Sequence, residues 1–175
     1  NLAASQFGVT AQEVLPFSTG VIGEDLPLER ISAALPALGE SLSPDAWDAA
    51  SWGILTTDTR PKLASRTFTH GNREYRITGM AKGAGMLRPD MATMLAFLTT
   101  DAALGRGALN QALQTSVDAS FHRITVDGDT STNDAVVLAA TGTDGEQATQ
   151  PGFLGAFQAS LDELCIELAQ GLVRD

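Results

Sequence analysis

The stretch from Leu63 to Ala81 constrains the fold more than any other part of the chain, because apolar and polar residues alternate along it on either side of His70-Gly71-Asn72. A side-chain period of two belongs to strands with one buried face, and a Gly-Asn pair tolerates the positive φ that a tight turn demands. An antiparallel hairpin is therefore expected, and its apolar face needs a cover. Phe153 to Val173 reads as a final amphipathic helix: Leu161, Leu164, Cys165, Leu168 and Leu172 recur at helical spacing, with Asp162, Glu163 and Glu167 on the wet side.

Other elements follow from the same periodicities. Met94 to Thr99 reads as a strongly apolar strand, and Leu104, Leu109, Leu113, Val117 and Phe121 hold a helical face up to His122. Ile124 to Val126 and Ala135 to Ala140 read as short strands separated by a polar turn. Upstream, a helical tail ends near Gly8, and Glu13 to Phe17 reads as a strand entering the turn Ser18-Thr19-Gly20. Leu28, Ile31, Leu35 and Leu38 keep a helical face that Pro36 should bend or end. Ser43 as cap with Pro44 behind it starts a second short helix, which carries Trp47 until Gly53 stops it. Strands in the middle with helices before and after them define an α+β fold. The expected layering is helices covering the faces of antiparallel sheets, αββα-like, rather than a regular βαβ winding.

At 175 residues and 43% hydrophobic content, one substantial core is within reach. No repeat, low-complexity block or long linker divides the chain, so a single domain over residues 1–175 is expected. With 21 acidic against 11 basic residues, the formal charge of −10 opposes binding to phosphate backbones or anionic lipid. Apolar runs fall far short of the roughly 20 residues a membrane helix needs. The N-terminus has no basic region, no apolar signal core and no initiating methionine, and the chain reads as an excerpt or a processed product. The lone Cys165 excludes an internal disulfide and reads as an inert core thiol, which agrees with a cytoplasmic location.

The segment from Gly79 to Thr93, Gly-Met-Ala-Lys-Gly-Ala-Gly-Met-Leu-Arg-Pro-Asp-Met-Ala-Thr, places glycines, Lys82 and Pro89 between two strands. Its spacing is not that of a phosphate-binding loop, and it lacks the dinucleotide fingerprint. Ala92-Thr93 has the chemistry of self-cleavage: a β-hydroxyl able to attack the preceding carbonyl, and a small residue on the acyl side. An N-to-O acyl shift followed by hydrolysis would release a new N-terminal threonine. Its α-amine, with a pKa of about 7.7–8.0, would be a competent general base beside the hydroxyl. Taken alone, Thr93 reads first as a threonine opening a β-strand, where threonine is common for steric reasons.

The surroundings decide between these readings. Lys82-Gly-Ala-Gly-Met-Leu-Arg-Pro89-Asp-Met91-Ala92-Thr93-Met94-Leu95 closely resembles the self-processing junction of the ornithine acetyltransferase (glutamate N-acetyltransferase) family. Three other stretches resemble the family in its own order: Ser18-Thr19-Gly20-Val21-Ile22-Gly23, Thr56-Thr57-Asp58-Thr59-Arg60-Pro61-Lys62, and Val126-Asp127-Gly128-Asp129-Thr130-Ser131-Thr132-Asn133-Asp134. The resemblance implies cleavage between Ala92 and Thr93, with Thr93 then taking an acetyl group from N-acetylornithine and passing it to glutamate, a step of arginine biosynthesis. It implies that Thr19 and Gly20 form the oxyanion hole, that Thr56, Lys82 and Thr93 contact substrate, and that the cleavage products assemble as an α2β2 heterotetramer. No cofactor is expected; acetyl-CoA stays open as a further donor.

Family chains are considerably longer, so this chain matches their central part and lacks a C-terminal region with a further substrate-contacting glutamate. An amidase or aminopeptidase using water as acceptor, and a non-catalytic amino-acid-binding fragment, are the alternatives. The turn from Asp127 to Asp134 lacks the glutamate and glycine offset of a calcium loop, so no metal is expected; Asn133 and Asp134 should instead tie the loop through side-chain-to-backbone hydrogen bonds near the active site. Arg60 and Lys62 read as loop structure. His70 in the hairpin turn and His122 near a helix end share no motif spacing.

Overall fold

The structure, a computed structural model, describes residues 1–18, 23–85, 94–128, 133–142 and 150–175. These fall into two compact units, Asn1–Trp47 and Asp48–Asp175. In the first, helix α1 (Leu2–Phe7) closes on Gly8, and α2 (Leu28–Glu40) continues past Pro36. The segment read as a strand from Glu13 to Phe17 is not one: Ala11–Glu13 forms a 3-10 turn and residues 14–18 have no regular structure. The Glu13 carboxylate turns back to accept the Thr10 backbone N–H at 2.7 Å and its hydroxyl at 2.8 Å. That local closure satisfies groups a strand would have offered to a neighbour. Ser43 caps as expected, its Oγ accepting the Asp45 N–H at 3.2 Å, but a turn intervenes and helix α3 spans Trp47–Gly53.

The second unit is built on β1 (Lys62–His70), β2 (Arg73–Lys82), β3 (Leu95–Thr100), α4 (Arg106–Ala119), β4 (Ala135–Ala140) and α5 (Phe153–Val173). The strands form one sheet in the order β1-β2-β3-β4. The expected hairpin is present, with Lys62 opposite Ala81 and His70 opposite Arg73, and Gly71 takes a φ of 61° in its turn. β3 adds antiparallel to β2, whereas β4 runs parallel to β3, from Leu95↔Ala135 to Thr100↔Ala140. The α+β class stands, but this sheet is mixed rather than antiparallel. A parallel neighbour requires a crossover, and α4 lies in that connection. Ile124 to Val126 forms no strand: a 3-10 turn over Phe121–Arg123 precedes it, and only isolated bridge pairings occur at Val126 and Asp127.

Helix α5 packs on β1 and β2 and against α4. Phe153, Phe157, Leu161, Leu164 and Cys165 are completely buried, and Leu168, Ala169 and Leu172 almost so. Strand residues at alternate positions meet them: Ala64 and Phe68 from β1, Tyr75, Ile77 and Ala81 from β2, Ala96 and Leu98 from β3. Phe68 stacks on Tyr75 at 5.2 Å, and Phe153 meets both rings edge-on at 5.5 and 5.2 Å.

Gly79 makes the close approach of α5 possible. A Cβ there would stand 2.3 Å from Leu98 Cδ2, 3.2 Å from Leu168 Cδ1 and 3.3 Å from Leu164 Cδ2. All three leucines are buried and have little room to turn aside. Gly79→Val should therefore cost about 1–3 kcal/mol or more through overpacking, read as a lowered urea midpoint. An unchanged midpoint would mean that α5 does not press on β2 at this position.

Candidate active site

β2 delivers Lys82 to the end of the sheet, where the side chain is 1% exposed. Its Nζ donates to Thr56 Oγ1 at 3.2 Å. Gly83 follows with a φ of 149°, a conformation that side chains rarely permit. Its backbone N–H donates to Asp58 Oδ1 at 2.6 Å. The same oxygen accepts Lys62 Nζ at 2.6 Å, and Asp58 Oδ2 accepts the Thr56 N–H at 3.4 Å. Asp58 thereby links the start of β1, the end of β2 and the loop that carries Thr56.

Lys62 is itself buried and bridges Asp58 to Asp175. Asp175 also accepts the Thr59 backbone N–H at 3.0 Å and the Thr59 hydroxyl, while Arg60 Nη2 donates to the Arg174 carbonyl at 2.9 Å. Residues 56–62 are thus tied at several points to the end of α5. Arg60 and Lys62 do serve loop structure, as read from the sequence, but Lys62 does so as a buried charge between two carboxylates.

The charges perturb one another. Burial lowers the Lys82 pKa from its ordinary value, and the nearby Asp58 and Asp134 carboxylates oppose that effect. For Asp58, burial acts to raise the pKa, but the Gly83 N–H and Lys62 outweigh it and hold the carboxyl below its usual range. Asp134 behaves in the opposite way: burial pushes it up to about 6, against the Met94 N–H and Lys82. Two carboxylates near one lysine are therefore driven apart in acidity.

Asp134 stands just before β4 and acts on the backbone at Met94, the first described residue after residues 86–93. Its Oδ1 accepts the Met94 backbone N–H at 2.8 Å, and the Ala135 N–H donates to the Met94 carbonyl at 3.0 Å. The expected side-chain-to-backbone bond of Asp134 is thus present, and its target is the residue after Thr93. Asp134 Oδ2 is buried with no hydrogen-bond partner among the described residues. A Cβ on Gly85 would lie 3.4 Å from Asp127 Oδ2, so Asp127 stands beside Gly85.

Of the predicted site residues, Thr56 and Lys82 are brought into contact although 26 positions apart. Thr19, Gly20, Ala92 and Thr93 lie outside the described residues. Asp58 and Asp134 join the site without being predicted site residues; Asp58 lies in plain view within Thr-Thr-Asp-Thr-Arg-Pro-Lys, but its bond to the Gly83 N–H links residues 25 positions apart.

Other candidates fall away from this site. Cys165 is fully buried, and burial, helped by Asp162, pushes its thiol up to about 12. His70 packs edge-on against Phe153 at 5.3 Å, and His122 Nδ1 pairs with Asp118 at 2.9 Å. Glu163 and Glu167 reach across to Arg66 on an exposed face. Among the described residues no three His, Cys, Asp or Glu side chains converge as metal ligands, and no helix is long and apolar enough to cross a membrane. A surface groove over Glu24–Arg30 contains none of the predicted site residues.

The second unit is an α+β fold with two buried lysines, Lys62 and Lys82, and the carboxylates of Asp58 and Asp134 gathered where β2 ends. Residues 1–175 match the ArgJ family model in full, and the chain belongs to that family. It is 52% identical over 98% of its length to the arginine biosynthesis bifunctional protein ArgJ of Methylococcus capsulatus (strain Bath), and 50% identical over 96% to the protein of the same name from Pseudomonas syringae pv. tomato. It spans 43% and 42% of those proteins, less than half of each. A likeness to the L-aminopeptidase D-Ala-esterase/amidase of Ochrobactrum anthropi, with a TM-score of 0.40 and 15% identity over 63% of this chain and 40% of that one, is too slight to carry an argument.

The raised Asp134 pKa has a definite sign in stability. A carboxyl shifted from 3.8 to about 6 binds its proton more tightly in the folded state, so its contribution is full below pH 4 and is lost as pH rises toward 6. Asp58, held low, contributes above pH 4 and loses its contribution only on further acidification. Urea unfolding of the full-length protein at pH 4.5 and 7.5 should therefore show Asp134→Asn gaining stability relative to the parent at the higher pH. Parallel pH profiles for the two proteins would contradict this.

Proposed function

We propose that this chain is the central part of an ornithine acetyltransferase that cuts itself between Ala92 and Thr93 and moves an acetyl group from N-acetylornithine to glutamate, within arginine biosynthesis. Membership of the ArgJ family and the names of its relatives support the pathway. The observation that carries the site assignment is the meeting of Thr56 and Lys82, since both match substrate-contacting positions of the family. A lysine offers a point charge to the α-carboxylate that both amino-acid substrates share, and a hydroxyl beside it fixes orientation. Asp58 holds the Lys82–Gly83 corner in place through the Gly83 N–H.

In the proposed reaction the Thr93 hydroxyl proton passes to its own α-amine as Oγ bonds to the acetyl carbonyl carbon. The carbonyl electron pair moves onto oxygen, where the Thr19 hydroxyl and Gly20 N–H are assigned to receive it; one such donor is worth about 2.7–4 kcal/mol. Collapse breaks the bond to the ornithine nitrogen, which takes the proton and leaves as an amine. Glutamate then enters by the reverse sequence, its amine attacking the ester to give N-acetylglutamate and free Thr93. The two pieces would assemble as an α2β2 heterotetramer.

Intact-mass measurement of the full-length protein should find two pieces divided between Ala92 and Thr93. A single uncut species with normal acetyl transfer would sink this mechanism. N-acetylornithine supplied without glutamate should yield at most one equivalent of ornithine per site. Sustained release without glutamate would instead identify a hydrolase, and an acetyl adduct surviving Thr93→Ala would exclude Thr93 as the carrier.

A further inference from the structure

We propose that Asp134 is a positioning residue for the reaction at Thr93: one carboxylate oxygen fixes the peptide group after the nucleophile, and the other holds the ammonium that forms on the nucleophile's amine. This inference rests on the acetyltransferase reading above.

Met94 is gripped at both ends of its backbone. Its N–H donates to Asp134 Oδ1 at 2.8 Å, and its carbonyl accepts the Ala135 N–H at 3.0 Å. Immediately afterwards Leu95 pairs with Ala135, the first rung of the parallel ladder between β3 and β4. Residues 134 and 135 thus dictate where the chain emerges from the junction. The α-nitrogen of residue 93 is three covalent bonds from the Met94 nitrogen, so standard bond lengths and angles keep the two atoms about 2.7–3.7 Å apart whatever the torsion between them. The carboxylate that holds the Met94 nitrogen is therefore one peptide unit from the nitrogen that becomes the amine.

The second oxygen supplies the functional argument. Asp134 Oδ2 is buried and has no hydrogen-bond partner among the described residues. A buried acceptor without a donor is costly, and more so when charged. Lys82 is close enough to favour the ionised carboxyl, yet burial prevails and the group is left short of positive charge. Cleavage before Thr93 would change the nearby donors, because an amide nitrogen with one hydrogen becomes an amine that holds three when protonated. The oxygen without a partner in the uncut chain would then face a cation.

Asp134 would exchange no proton. As Thr93 Oγ bonds to the acetyl carbon, the hydroxyl proton arrives on the α-amine and a positive charge develops there. A fixed carboxylate lowers the energy of that state and keeps the amine oriented toward the hydroxyl, as the aspartate of a serine-protease triad does for its imidazolium. When the bond to ornithine breaks, the proton leaves with the ornithine amine and the ammonium is neutral again.

Asp134→Asn separates the two roles, since its amide oxygen can still accept the Met94 N–H while the negative charge is gone. In the full-length enzyme we expect a folded protein whose KM for N-acetylornithine stays within about threefold of the parent, while kcat falls by about 100-fold or more. Where self-cleavage is also slowed, the two pieces are encoded separately, the second beginning Met-Thr93 so that removal of the initiator methionine exposes the amine. A kcat within threefold of the parent would overturn the proposal. So would a loss of kcat matched by an equal rise in KM and a lowered urea midpoint, the pattern of a merely structural residue. The parent enzyme is the control for the reading beneath: if it forms no acetyl adduct on Thr93, the acetyltransferase mechanism fails whatever Asp134 does.

Discussion

The packing of α5 across β1 and β2 is the contact on which the second unit depends. A hairpin alone cannot shield its apolar face from water, and two strands are marginal in isolation. α5 covers that face with aromatic rings at one end, where Phe153 meets Phe68 and Tyr75, and with leucines toward the other. The absence of a side chain at Gly79 lets the helix settle onto the sheet. With the hairpin held, β3 can add to the β2 edge and β4 to β3, and the ends of β2 and β3 come to lie where polar groups gather.

At the far end of α5 packing gives way to charge. Lys62 lies with its stem beside Gly171 and its ammonium between Asp58 and Asp175. Buried ion pairs of this kind add little net stability compared with an apolar filling, but loss of one partner leaves an uncompensated charge. Their effect here is geometric. Asp58 cannot move without disturbing Lys62, the Gly83 backbone and the Thr56 backbone together. The loop bearing Thr56 and the strand bearing Lys82 are therefore fixed relative to each other by a carboxylate that need touch no substrate.

Much of this was legible in the residues, for reasons that differ by element. The hairpin, β4 and α5 follow their periodicities almost to the residue, because strand and helix patterns are local and each face has one environment. The segment at Glu13 carried apolar residues that suited a strand, but a carboxylate three positions from Thr10 closed a turn first. The direction of β4 was hidden because parallel and antiparallel strands of six apolar residues look alike; only the crossover through α4 distinguishes them. Thr56 and Lys82 were found through family motifs, not through spacing, and their contact is a tertiary fact. Asp58 and Lys62 stand only four residues apart, but the burial of Lys62 between two carboxylates depends on a second partner 113 residues away. Asp134 was expected to bind backbone, but nothing in the sequence says which backbone.

The grip on Met94 also bears on the freedom of the chain end that the proposed cleavage would create. A terminus made by cutting a loop ordinarily frays, and every torsion left free reduces the fraction of time a nucleophile spends in a reactive pose. With the N–H and carbonyl of Met94 both engaged, a terminus beginning one residue earlier would keep little more than the rotations of that single residue. The hydroxyl and amine it carries would then act at the high effective concentration of groups held side by side, and the entropy of gathering them would have been met when the sheet folded rather than at each turnover.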